Sequence, residues 1–221
     1  EIRSGAIVAV INGGAGDAGT LSLRADRLLL SGDGRIGVAT LITNALPAAT
    51  GRGGDIIVVA GTMEIRQGGQ LYTATQGAAD AGDVRVSADE LRLSGEDHLG
   101  ATGMGSQTLA PDNAGRGGDV TVETAVLEIR GGAQITNIGA GAGAGGDLRV
   151  TAGEIRILGG GERCCSAIFA QTQASSNAGP GGDIRVSAHR IVLRDGAQIS
   201  TSTLGAGDAG NLTLEAGELF L

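Results

Sequence analysis

The chain contains 221 residues with a formal net charge of −8, and its 16 basic residues are all Arg. This acidic balance argues against a nucleic-acid partner, because binding to a phosphate backbone needs a basic surface. The 42 Gly residues lack the strict third-position period of collagen, and an apolar content of 41% argues against disorder. No apolar run approaches the roughly 18 residues that a membrane helix requires.

Seven copies of a short strand-opening phrase organise the whole chain. They read TLSLRA, DIIVVA, DVRVSA, DVTVET, DLRVTA, DIRVSA and NLTLEA, and they begin at Thr20, Asp55, Asp83, Asp119, Asp147, Asp183 and Asn211. The intervals alternate between 28 residues and 35 or 36 residues, so the repeat unit is a pair of coils. Repetition at a period of about 20–50 residues predicts a stacked solenoid rather than a globule with one closed core.

Each coil carries the patterning of short β-strands. With the first residue of the phrase numbered 0, apolar side chains recur at positions +1, +3, +8 and +10, which predicts two strands with a turn near +5. A third strand follows a Gly-containing turn, most clearly at 68–73, 131–136 and 195–201. Dense Gly and short links leave no convincing amphipathic helix. The prediction is an all-β parallel β-helix with three short strands per coil and alternating coils of about 28 and 36 residues.

The phrase positions divide one elongated domain, residues 1–221, into coils. Full coils are predicted at 20–54, 55–82, 83–118, 119–146, 147–182 and 183–210, with partial coils at 1–19 and 211–221. The first partial coil lacks an opening strand and the last stops after a second strand, so we expect a segment of a longer array. The open coil ends should then make end-to-end contact with further coils of the same kind.

Asp occupies position 0 in five consecutive coils, at Asp55, Asp83, Asp119, Asp147 and Asp183. Stacking would place these carboxylates about 4.8 Å apart, where they repel one another unless they are stabilised. Backbone N–H groups in a local Asx-type turn and neutralisation by Arg at +2 are the favoured explanations. A bridging Ca²⁺ ion is the alternative, although the chain lacks the nonapeptide spacing of calcium-binding repeats. No other metal or cofactor is expected.

Charges at position +9 alternate in sign from coil to coil, in the order Glu64, Arg92, Glu128 and Arg156. Opposite charges on neighbouring strands attract, so this column predicts a contribution to the register of the coils.

Two further groups of reactive residue types are interpreted as structural. Cys164 and Cys165 are adjacent, so their side chains point to opposite faces of a strand, and a vicinal disulfide is the alternative to two thiols. The acidic and imidazole groups at 96–98 lie in a turn whose equivalents are also polar, which indicates a solvated corner.

The long coils are expected to form a lateral ridge or groove that binds a ligand. Their extra residues are assigned to the third strand and the segment after it, within 42–54, 104–118 and 168–182. These segments are rich in hydroxyl and amide side chains, which suit sugar hydroxyls, although many long surface loops bind nothing. The predicted contacts are Arg52, Gln107, Asn113, Arg116, Gln171 and Gln173.

The segment GGDIRVSAHRIVLRDGAQISTSTLGAGDAGNLTLEAG (181–217) resembles repeats of filamentous-haemagglutinin-like exoproteins of two-partner secretion systems. GAQISTST followed by GNLTL is the specific part, and looser similarity covers almost the whole chain. The resemblance implies a right-handed β-helix, export through an outer-membrane secretion partner, and a secreted or cell-surface location in a Gram-negative-type bacterium. It also implies adhesion or the carrying of a distal effector, and it transfers no catalytic residue to this chain.

The function expected from the sequence is that of a structural and adhesive shaft that contacts a glycan or a cell-surface receptor. Repeated weak contacts along a stiff rod would supply avidity. No catalytic residues are expected. The alternatives are a polysaccharide lyase or hydrolase, which would need a positioned acid and base, and a passive spacer. An ice-binding face would need Thr on every coil, and Thr is irregular in the third strand.

Overall fold

The computed structural model describes residues 1–32, 38–95, 101–110, 115–159, 165–173 and 179–221. Over these ranges the chain forms strands, turns and bends, and no helix. The described residues contain fifteen strands in two parallel sheets, and the chain alternates between the sheets from one strand to the next.

The first sheet is built mainly from strands of 11 residues, and the second from strands of six. The first sheet contains β1 (Ile2–Arg3), β3 (Leu21–Ser31), β5 (Ile56–Arg66), β7 (Val84–Ser94), β9 (Val120–Arg130), β11 (Leu148–Leu158), β13 (Ile184–Arg194) and β15 (Leu212–Phe220). The second contains β2 (Ile7–Asn12), β4 (Thr40–Ala45), β6 (Gln70–Thr75), β8 (Gly103–Thr108), β10 (Gln134–Gly139), β12 (Ala167–Thr172) and β14 (Gln198–Thr203). The predicted all-β parallel solenoid is confirmed, with about six turns.

The structure differs from the prediction in one detail, because each long strand combines two of the three predicted short strands. Positions +1 to +11 form one strand, but pairing between coils skips position +6, so Asp26 and Gly61 are not paired in the ladder between β3 and β5. A Cβ added at Gly61 would lie 2.8 Å from the Asp26 carbonyl oxygen. The close approach of the coils at +6 interrupts the ladder without ending the strand, since pairing resumes at +7.

The predicted inward positions form the core. In the coils from 55 to 182, the side chains at +1, +3, +8 and +10 are at most 2% exposed, and Leu71 and Ile135 of the second sheet are fully buried. In the last strand, Leu212 and Leu219 occupy the same positions but are 40% and 46% exposed. Burial therefore depends on stacking, because each coil covers the apolar side chains of its neighbour.

Gly at position −1 is explained by the close packing of the coils. The residues at this position are Gly19, Gly54, Gly82, Gly118, Gly146, Gly182 and Gly210. A Cβ added at any of them except Gly19 would overlap the carbonyl oxygen of the equivalent Gly in the preceding coil, whereas the space around Gly19 is open. Only Gly therefore fits in the stacked part of this column.

The two kinds of coil differ mainly in the segment between the long strand and the six-residue strand. This segment has three residues in the short coils (67–69, 131–133 and 195–197) and eight in the long coils (32–39, 95–102 and 159–166). The segments that return to the first sheet differ by only two or three residues. The prediction that the extra residues fall in and after the six-residue strand is therefore wrong for most of them.

The short segments turn tightly because two successive residues adopt positive φ. Gln67 and Gly68 have φ values of 49° and 85°, and Asp195 and Gly196 have 57° and 81°. Gly at the second position avoids the steric cost that a side chain would have in this conformation.

Charges at +9 alternate along the first sheet as predicted. The register places Arg92 beside Glu64, and Arg156 beside Glu128. The shortest ion pairs of these residues run along single strands, as between Arg156 and Glu154 (2.8 Å), because residues two apart share one face of a strand. The alternation thus avoids repulsion between coils, while the direct pairs form within a coil.

Candidate ligand-binding face

The residues predicted to contact a ligand fall in two separate parts of the structure. Arg52 and Arg116 precede long strands at position −3, beside the Asp residues at position 0. The three glutamines lie on or directly after strands of the second sheet. Asn113 lies outside the described residues. The five described contacts therefore do not form the single ridge that was predicted.

The Asp residues at position 0 form a ladder of hydrogen bonds between coils. The backbone N–H of Asp83 donates to Oδ1 of Asp55 (2.8 Å), and the N–H of Asp119 donates to Oδ1 of Asp83 (2.9 Å). The same bond recurs in each later coil up to Asn211, with distances of 2.8–3.0 Å. Backbone donors were predicted, but they belong to the next coil and not to a local Asx-type turn, because stacking brings each N–H onto the carboxylate before it.

Arg side chains neutralise this column from two positions. From −3, Arg52 pairs with Asp55 (2.9 Å) and Asp83 (3.3 Å), and Arg116 pairs with Asp119 (2.6 Å). From +2, Arg85 pairs with Asp83 (2.9 Å), as predicted. No group of three or more His, Cys, Asp or Glu residues in the described ranges could hold a metal ion. These contacts give Arg52 and Arg116 a structural role in the stacking of coils.

A second column of contacts between coils, in which Asp and Arg alternate, was missed by the sequence analysis. At position −3, Asp17, Arg52, Asp80 and Arg116 follow one another in successive coils. The backbone N–H of Arg52 donates to Asp17 (2.8 Å), and that of Arg116 donates to Asp80 (2.7 Å). The signal that could have revealed it is the sequence DAG before three of the strand-opening phrases, at 17–19, 80–82 and 208–210.

The second sheet is free of charge. None of its seven strands contains Asp, Glu, Lys, Arg or His, whereas the outward positions of the first sheet carry many charged residues. Alternation along a strand turns the second, fourth and sixth residues of each six-residue strand inward and the first, third and fifth outward. We call the surface formed by these outward residues the neutral face.

Amide side chains occur on the neutral face at regular intervals. At the fifth position of the strands, the long coils carry Asn44, Gln107 and Gln171. The register inserts Ala74 and Ile138 of the short coils between them. Because neighbouring strands lie about 4.8 Å apart, the amides recur about every 9.6 Å along the stack.

The glutamines predicted to bind a ligand differ in their hydrogen bonds. Gln171 donates to the Ser202 hydroxyl (3.2 Å) and accepts from Nε2 of Gln173 (2.7 Å). Gln107 is half-buried, and its side chain makes no hydrogen bond to the described part of the chain. Its amide therefore keeps both donor and acceptor capacity for a ligand.

Aromatic side chains occupy the middle of the neutral face. Phe169 is half-buried at the third position of β12, and Tyr72, at the third position of β6, is 9% exposed. Burial raises the pKa of Tyr72, and the nearby Thr136 hydroxyl partly offsets this effect. An exposed ring edge beside amide groups can contact the C–H surface of a sugar while the amides bind its hydroxyls.

The glutamines at the first position of the short-coil strands have a structural role. Nε2 of Gln70 donates to the carbonyl of Ala101 (3.0 Å), and Nε2 of Gln134 donates to the carbonyl of Cys165 (3.3 Å). They therefore tether the chain just before the next long-coil strand. Cys165 is half-buried and Cys164 lies outside the described residues, so the predicted pair of thiols and its alternative, a vicinal disulfide, both stay untested. The polar residues at 96–98 also lie outside the described ranges.

Shallow grooves lie at the interrupted position of the long strands in two separate parts of the first sheet, and they were not predicted. One, of about 620 Å³, is lined by residues including Arg24, Asp26 and Asp89. Another, of about 470 Å³, is lined at equivalent positions by residues including Ser187 and Glu215. The sequence signal was the small residue at +5, which was interpreted only as a turn.

Comparisons with protein-family models, curated proteins and solved structures found no match to this chain. Within the part of the chain that the structure describes, no helix is long and apolar enough to cross a membrane.

Proposed function

We propose that this chain is a stiff β-solenoid shaft with an adhesive lateral surface, which contacts glycans or cell-surface receptors. The observation that carries the proposal is the neutral face, where amide, hydroxyl and apolar groups recur from coil to coil without any charged side chain. Such a surface can form many similar contacts with a repetitive partner, and each contact raises the effective concentration for the next.

The solenoid core supports the mechanical part of the proposal. Aliphatic side chains at four positions of each long strand are stacked in continuous columns, and hydrogen-bonded Asp residues connect the coils along one edge. Both features resist bending between coils, because bending would open packed apolar contacts and lengthen hydrogen bonds.

A secreted or cell-surface location and an outer-membrane secretion partner belong to the same proposal. Their support is the resemblance of residues 181–217 to filamentous-haemagglutinin-like repeats.

The proposal is tested by incubating the folded chain with immobilised neutral and acidic polysaccharides and with intact cells. Retention is measured together with the release of new reducing or unsaturated sugar ends. Retention without new ends is the expected result. Failure to be retained on any polymer or cell would contradict adhesion and favour a passive spacer.

A polysaccharide-cleaving enzyme is the second candidate, and the larger groove on the first sheet favours it. Asp26 and Asp89 line this groove on strands separated by β5, so their backbones lie about 9.6 Å apart. Glycosidases use a pair of carboxyl groups that flank the scissile bond, and two Asp side chains in one groove could supply such a pair. Release of new sugar ends that is abolished by Asp89→Asn would establish this function in place of adhesion.

A further inference from the structure

We propose that the neutral face binds an uncharged, extended polysaccharide that lies parallel to the solenoid axis. This inference rests on the proposed adhesive function and adds the chemical class and the orientation of the ligand.

The charge distribution selects an uncharged ligand. The chain has a net charge of −8, and the strands of the second sheet contain no basic residue that could pair with a carboxylate or sulfate. Arg52, which precedes a strand of the first sheet, is already paired with Asp55 and Asp83. An acidic polysaccharide would therefore meet no cation on the described strands of this face and would be repelled by the net negative charge of the molecule. Hydroxyl groups of a neutral polysaccharide can instead bond to amides and to Ser and Thr hydroxyls.

The spacing of the amides sets the orientation. Gln107 and Gln171 lie on either side of Ile138 in the register of β8, β10 and β12. They are therefore separated by about 9.6 Å along the axis. A polymer parallel to the axis meets an amide at every second coil, and its own repeating hydroxyls can bond to each of them. A polymer lying along one strand, perpendicular to the axis, would meet this row only once.

The surroundings of these amides suit a sugar ring. Ile138 and Phe169 are partly exposed, and both are close to Gln171: Ile138 is its partner on β10, and Phe169 precedes it by two residues on β12. The apolar side chains can contact the C–H groups of the ring, while the amide of Gln107, which has no hydrogen bond to the described residues, donates to and accepts from its hydroxyls. The hydrogen bonds to Ser202 and Gln173 hold Gln171 in position beforehand.

The test is affinity electrophoresis of the 221-residue chain in gels that contain either glucomannan, which is neutral, or alginate, which is acidic. We expect retardation by glucomannan that is insensitive to salt, and no retardation by alginate. The double variant Gln107→Ala, Gln171→Ala should bind glucomannan at least about fivefold more weakly, since each lost hydrogen bond contributes about 0.5–1.5 kcal/mol.

The matched control is Thr121→Ala with Thr213→Ala, which removes two outward hydroxyls from the first sheet and should leave binding unchanged. Circular dichroism and the emission of Tyr72, the single Tyr in a chain without Trp, verify that each variant is folded. A second double variant, Gln107→Glu with Gln171→Glu, keeps the side-chain size and the acceptors but removes the amide donors, and it should bind glucomannan more weakly than the unchanged chain.

Salt-sensitive retardation by alginate alone would overturn the inference and leave the adhesive function standing. Equal losses in the neutral-face and control variants would overturn it as well, because binding would then lie elsewhere. Sedimentation showing that the glutamine variants change self-association, while glucomannan binding is unchanged, would also overturn the inference. The neutral face would then bind a second copy of the chain. Binding to no polymer and to no cell would contradict the proposed function itself.

Discussion

Gly118 and Gly19 occupy the same position of the repeat but have different surroundings. A Cβ at Gly118 would overlap the Gly82 carbonyl oxygen, whereas a Cβ at Gly19 would meet nothing within 4 Å. We therefore expect Gly118→Ala to destabilise the chain by at least about 1–3 kcal/mol, the usual cost of overpacking, and Gly19→Ala to have little effect. Urea unfolding followed by circular dichroism measures both. Equal effects would show that backbone entropy, and not the contact between coils, explains the Gly column.

Asp183 makes the stability of the chain depend on pH. Hydrogen bonds from the backbone and side chain of Asn211, with a smaller contribution from Arg185, lower the pKa of Asp183 below its usual value of 3.8. A carboxylate with a lowered folded pKa contributes stability that is complete above the unfolded pKa and is lost as the pH falls through the folded pKa. Asp183→Asn keeps a carbonyl acceptor but removes the charge. Its destabilising effect should be constant above about pH 5 and should shrink below about pH 4.

This prediction is measured by the urea midpoints of both proteins across that pH range. Asp208→Asn is the control, because the Asp208 side chain makes no hydrogen bond or ion pair within the described ranges. If both substitutions had the same pH profile, the effect would come from net charge and not from the ladder.

The long strands derive their stability from the columns that run between coils. Leu91 and Leu219 both occupy position +8, but Leu91 is fully buried and Leu219 is 46% exposed. Leu91→Ala should cost about 2–5 kcal/mol, because it removes buried methyl groups and leaves a cavity. Leu219→Ala should cost clearly less, since half of its side chain already meets water. Chemical unfolding of the two variants tests this, and equal costs would contradict a core built by stacking.

The ends of the solenoid determine how the isolated 221-residue chain behaves in solution. On β2, the outer strand of the second sheet, Ile7 and Ile11 are 65% and 62% exposed, and the strand has an unpaired edge. Such an edge can pair with the strands of another molecule, so we expect self-association that increases with concentration. Sedimentation velocity measures it, and Ile7→Lys with Ile11→Lys should reduce it, because charge on an edge strand opposes pairing. A single monomeric species at high concentration would contradict this expectation.

Sequence periodicity alone was sufficient to predict the all-β parallel solenoid and the inward positions of its core. Alternation along a strand and repetition along the chain are local patterns. The inward residues of each coil can therefore be predicted from the sequence of that coil alone. The charge-free strands were also readable in the sequence, but their combination into one neutral face required the register of the second sheet.

Only the tertiary structure decided which groups meet between coils. The carboxylate of Asp55 accepts a hydrogen bond from the N–H of Asp83, 28 residues away, and Arg52 forms an ion pair with Asp83. Arg52, which was predicted to contact a ligand, therefore stabilises the stacking of coils. The alignment of Gln107 with Gln171 across Ile138 likewise depends on strand pairing. Such contacts are set by the geometry of stacking, and a linear sequence contains no distance between residues of different coils. The sequence determined the strands and the inward residues of a single coil. The packing of coils determined which side chains lie together on their common surface.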